Sequence, residues 1–118
     1  MGRTRYAWSI VHAMLAGALA GAAGASVPTV ADCLEASEFI ANAALSRDNG
    51  MTRDEFLSRM DQDFEAIKAF PPSLRWFVQD NDDERFLLDS AREVFDHPDR
   101  SERHRAHFLH DCFERMGT

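Results

Sequence analysis

The 118-residue chain lacks the motifs that mark most small enzymes. It has no G-x-S-x-G nucleophile turn, no H-E-x-x-H helix and no glycine-rich phosphate loop. It also lacks the alternating apolar and polar pattern of strands over more than a few residues, which argues against a sheet. Cysteine occurs only twice, at Cys33 and Cys112, with no C-x-x-C spacing to support thiol catalysis. Lysine occurs once, at Lys68, so nearly all positive charge is arginine. Acidic residues outnumber basic ones and the net charge is −7, which argues against nucleic acid and anionic membrane as partners.

What is present begins with a three-part leader. Arg3 and Arg5 give a positive start, and Ala7 to Ala22 is apolar and uncharged. Ala23-Gly24-Ala25 then supplies the small side chains a signal peptidase accepts. Residues 1–25 are expected to be a cleaved signal peptide, with Ser26 first in the mature chain. An uncleaved anchor helix is the rival, but an Ala/Gly-rich run inserts weakly. Thr4 between the arginines excludes a twin-arginine signal. Asp32 before Cys33 excludes a lipid-modified cysteine, which needs a small residue there. Cleavage removes two arginines and no acid, so the mature net charge is −9. The product is expected to be periplasmic or secreted. In such an oxidising compartment Cys33 and Cys112 are expected to pair within one molecule.

Residues 26–118 read as a single all-α domain, a small bundle of four to five short helices whose first and last members share that disulfide. Thr29 is the expected cap of a first helix ending near Ser46, with Cys33, Ala36, Ile40, Ala43 and Ala44 on one face, widened by Leu34, Phe39 and Leu45. Asp48-Asn49-Gly50 stops it. Thr52 and Glu55 form a capping box for a second helix, with Phe56, Met60, Phe64 and Ile67 as its apolar stripe. Pro71 and Pro72 end it. Ser73 to Gln79 is a short helix or irregular turn with Leu74, Phe77 and Val78 on one face. The acidic run Asp80 to Glu84 opens the next helix as a solvated start, followed by Leu87, Ala91, Val94 and Phe95. Ser101 is the expected cap of the last helix, which carries Phe108, Leu109, Cys112, Phe113 and Met116. Short connections imply antiparallel neighbours.

Three places invite chemistry. His104, His107 and His110 recur every third residue, successive members about 60° apart around the helix, so adjacent pairs could share a metal ion with Asp111 or Glu114. The simpler reading is a solvated face, with His104 packed at the core edge beside Phe108. No metal or other cofactor is favoured. The stretch Asp48 to Phe56 looks like the end of an EF-hand loop, but counting back from Glu55 puts Ala44 and Ser46 where carboxylates are needed. Trp76, alone beyond the leader, is either a core anchor or an exposed contact residue.

The pattern of Cys33, a helix, Ser46-Arg47-Asp48-Asn49-Gly50 and a final F-x-x-x-C from Phe108 to Cys112 resembles that of small exported two-cysteine helical bacterial proteins. The resemblance implies export, helices and one bridge. In outline the architecture is also similar to small periplasmic acid-stress chaperones, as a likeness of fold type only. With no catalytic set, the expected function is a non-enzymatic interaction protein of the bacterial envelope, engaging an unidentified protein partner and having no membrane span once the signal is removed. One alternative is an acid- or stress-responsive chaperone, because protonating the acids would turn −9 into about +15. The other is a metal-binding protein that uses the last-helix histidines.

Overall fold

The computed structural model describes residues 27–117, so the expected leader and its cleavage point lie outside the described residues. Among the described residues there are four helices: α1 (Val30–Asp48), α2 (Arg53–Ile67), α3 (Asn81–Asp96) and α4 (Ser101–Arg115). A single 3-10 turn, Pro72–Leu74, lies between α2 and α3 in place of a fifth helix. Among the described residues no helix is long and apolar enough to cross a membrane.

Two helix starts follow directly from local chemistry. The Thr29 hydroxyl accepts from the Asp32 N–H at 3.1 Å, and the Asp32 carboxylate accepts from the Thr29 N–H at 3.0 Å. Thr52 and Glu55 repeat the arrangement at α2. Each box satisfies two backbone donors that a helix N-terminus otherwise leaves open. α1 runs through Asp48, and Gly50 at φ 97° takes the left-handed conformation that reverses the chain. At α4 the expected Ser101 cap is not formed. Ser101 is the first helical residue, the N-cap is Arg100, and no side chain caps there. The Asp99 N–H, just before the helix, instead donates to His104 Nε2 at 3.1 Å.

Paired contacts set the directions. Cys33 at the start of α1 bonds Cys112 near the end of α4, Glu38 pairs with Arg105 at 2.6 Å, and Arg47 meets Asp99 before α4. These two helices are therefore antiparallel. Arg53 to Asp96 at 2.8 Å and Lys68 to Glu84 at 3.8 Å make α2 antiparallel to α3. α1 packs chiefly on α4 and also on α3, while α2 packs on α3. The buried face of α1 is mostly small: Cys33, Ala36, Ser37, Ala41, Ala43 and Ala44 surround Ile40. Small side chains at a contact let helix axes come close, which the short disulfide span requires, with Cα atoms 5.8 Å apart.

Leu34 and Leu45 do not widen this face; they are 50% and 49% exposed. Each follows a buried position by one residue, about 100° further round the helix. Phenylalanines, with Met60, Leu87, Ala91 and Val94, fill the rest of the core. Phe77 contacts Phe86 and Phe108 at centroid separations of 6.1 and 6.0 Å, and Phe86 stacks on Phe108 at 5.1 Å. A second chain of rings runs Phe95, Phe56, Phe39, Trp76 to Phe77. Val78 is buried beside Phe77, but Leu74 is 67% exposed. The 3-10 turn ends at Leu74 and the backbone redirects at Trp76, so Leu74 does not share their face.

Candidate functional site

The irregular segment between α2 and α3 is held by its own side chains. The Arg75 guanidinium donates to the Phe70 and Lys68 carbonyls at 2.7 and 3.2 Å. The Gln79 amide donates to the carbonyls of Arg75 and Trp76 at 2.9 and 3.0 Å. Between these ties Trp76 has φ 25°, the only positive-φ non-glycine residue among those described. Such a backbone costs energy and persists only where neighbours over-determine it. Its effect is to present the half-buried indole edge-on to Phe39, ring centroids 5.6 Å apart.

Trp76 thereby forms one wall of an apolar groove of about 270 Å³, lined also by Phe39, Met60, Phe64, Ala66, Ile67 and Leu87. Among the described residues Asp63 is the only charged one in its lining. Among the described residues Asp63 has no ion-pair or hydrogen-bond partner for its carboxylate, and it is exposed. Trp76 is half-buried: its ring packs against Phe39 and Phe77, and it lines the groove.

The histidines separate into two environments. His104 is buried, 8% exposed, and packs at the core edge. Its Nε2 accepts from the Asp99 N–H and lies 3.4 Å from Arg47 Nη1. Burial, and next the Arg47 charge, hold its pKa below the usual histidine value. Arg47 reaches across to donate to the Val94 and Asp99 carbonyls, both at 2.6 Å. This guanidinium joins the ends of α1 and α3 to the start of α4. The sequence marks Arg47 only as part of the S-R-D-N-G stretch and as a basic residue in a last helical turn.

His107 and His110 are exposed and both pair with Asp111 at 3.3 Å; His110 also lies 3.5 Å from Glu114. The Nε2 contacts of His104 are made instead at the corner, with the Asp99 N–H and Arg47. Among the described residues no group of three or more His, Cys, Asp or Glu is placed to hold a metal ion.

The acidic run at α3 is not uniformly solvated. Asp80 caps the helix, accepting from the Asp83 N–H at 2.9 Å. Asp83, expected in water, is 3% exposed. Its carboxylate accepts from the Gln79 N–H at 3.1 Å and from Arg115 at 3.0 Å. The Arg115 guanidinium also lies over Phe86, 4.5 Å from the ring centroid. Burial raises the Asp83 pKa, while the Gln79 N–H and Arg115 act against that rise. The partner that makes burial tolerable lies 32 residues away, beyond any local sequence signal.

Cys33 and Cys112 form the expected bridge and are fully buried. No family model matches the chain, and neither a curated protein nor a solved structure matches it.

Proposed function

We propose that the protein is an exported, non-enzymatic interaction protein of the bacterial envelope, and that it docks a partner through the Trp76 groove. The observation that carries this reading is an apolar groove walled by Trp76 with a single carboxylate, Asp63, in its lining. Apolar grooves on helical proteins take the apolar face of a partner segment, and tryptophan is enriched among residues that dominate binding energy. Asp63 sets the chemistry of the occupant: an aliphatic or aromatic anchor next to an arginine or lysine. The acidic balance of residues 26–118 favours the same basic partner. The leader and a disulfide between Cys33 and Cys112 support export to an oxidising compartment.

The test is site-specific photo-crosslinking in the producing cells. A photoreactive residue at Ala66, on the groove, is compared with one at exposed Ala106 on α4. The reading expects one discrete adduct from position 66, none from 106, and loss of that adduct with Asp63→Lys. Equal labelling from both positions, or an adduct indifferent to Asp63→Lys, contradicts it.

A further inference from the structure

The corner built on His104 has a property that does not depend on the groove, with which it shares no lining residue. Three segments meet there: the end of α1 through Arg47, the end of α3 through the Val94 carbonyl, and the α3–α4 connection through Asp99. Both groups facing His104 Nε2 are donors, the Asp99 N–H at 3.1 Å and Arg47 Nη1 at 3.4 Å. Nε2 is therefore the acceptor nitrogen and Nδ1 carries the proton in the neutral ring. A proton on Nε2 would meet the Asp99 N–H head-on and place a second positive charge beside Arg47.

The charged surroundings do not cancel this. From α1, Arg47 opposes protonation, and its own carboxylate neighbour is Asp48 at 3.0 Å. From α3, Glu93 favours protonation, and Asp89 lines the same cleft. From the connection, Asp99 favours it; within α4, His107 opposes it, and Asp111 lines the cleft further along. Burial is the largest influence and disfavours the charged ring. The sign follows: a histidine whose pKa is lowered by folding supports stability above the unfolded value, near 6.5, and that support is lost as pH falls through the folded value.

We propose that His104 is a pH-sensitive latch, which closes the α1–α3–α4 corner while neutral and releases the start of α4 when the medium becomes mildly acidic. Protonation removes the acceptor of the Asp99 N–H and repels Arg47 from its two carbonyls. The loop at residues 97–100 then loses its cross-ties, while the disulfide still joins the far ends of α1 and α4.

An NMR titration of the oxidised full-length protein from pH 7.5 to 4.5 reads the latch without mutation. The expected result is a His104 ring titrating below free histidine, with the Asp99 amide shifting at the same midpoint. A His104 ring that titrates like free histidine, or an Asp99 amide that ignores it, overturns the proposal. The second measurement is the urea midpoint at pH 7 and pH 5 for wild type and His104→Gln, which keeps a neutral acceptor. Wild type is expected to lose stability across this range, and the variant to lose distinctly less. An equal loss in both overturns the proposal. If His104→Gln does not fold, Arg47→Gln replaces it; removing the guanidinium charge is expected to move the ring's titration midpoint upward, and an unmoved midpoint overturns the proposal.

Discussion

The two ends of the bundle are closed by different means. At one end lie the start of α1, the start of α3 and the end of α4, joined by the Cys33–Cys112 bond and the buried Asp83–Arg115 pair. At the other end lie the end of α1, the end of α3 and the start of α4, joined by Arg47 and a neutral His104. The first closure is a covalent bond and a buried ion pair; the second rests on guanidinium and imidazole hydrogen bonds to backbone groups. Their buried titrating groups also respond to acid with opposite sign. The raised pKa of Asp83 means that its contribution is present below the unfolded value, near 3.8, and is lost as pH rises through the folded value. The lowered pKa of His104 means the reverse. Acidification thus relieves the disulfide end and loads the His104 end, so the two ends of one molecule answer acid in opposite directions.

Breaking the disulfide end is expected to have the largest effect. The bridge closes a chain separation of 79 residues, and Cys33→Ala with Cys112→Ala should lower unfolding free energy by about 3–4 kcal/mol. Urea denaturation with and without reductant checks this. A loss under about 1 kcal/mol would mean that packing of α1 on α4 suffices without the bond.

At the other end Arg47→Met keeps the aliphatic stem and removes two hydrogen bonds to carbonyls. A loss of about 2 kcal/mol is expected from those partly buried acceptors, read from the same urea curves at pH 7. Asp83→Asn retains an acceptor for the Gln79 N–H but removes the buried charge opposite Arg115. Relief of desolvation and loss of the ion pair offset one another, so the change at pH 7 should stay within about 1 kcal/mol. Its sharper signature is in pH dependence: the acid-side gain contributed by Asp83 should vanish from the stability profile. The smallest effect belongs to the exposed Arg53–Asp96 pair. Arg53→Ala is expected to leave the urea midpoint unchanged within error, as solvent-screened pairs commonly do.

Local chemistry was the legible part of this fold. Thr29 with Asp32, Thr52 with Glu55, and Asn49-Gly50 act within a few residues, so helix starts and stops can be read from neighbours. The stripe Cys33, Ala36, Ile40, Ala43 and Ala44 marks a buried face by spacing alone, and two cysteines behind a leader point to one bridge. What was not legible depends on distant partners. Asp83 looks like its solvated neighbours until Arg115 is placed against it, and Arg47 gains its role from Val94 and Asp99. Ser101 reads as a cap, yet His104 takes the Asp99 N–H from one turn inside the helix. The groove needs α1, α2, α3 and the turn at Trp76 together, so only Trp76 itself could be singled out beforehand.

The functional claim rests on that groove and can be read directly through its indole. With Trp8 replaced by Phe, Trp76 is the only tryptophan in the full chain. Its emission is followed while titrating a synthetic amphipathic helix with leucine anchors flanked by arginines, and then the same helix with glutamates in their place. The account predicts a saturable blue shift with the arginine peptide, abolished by Asp63→Lys, and none with the glutamate peptide. Identical responses to both peptides, or no response to either, would contradict it.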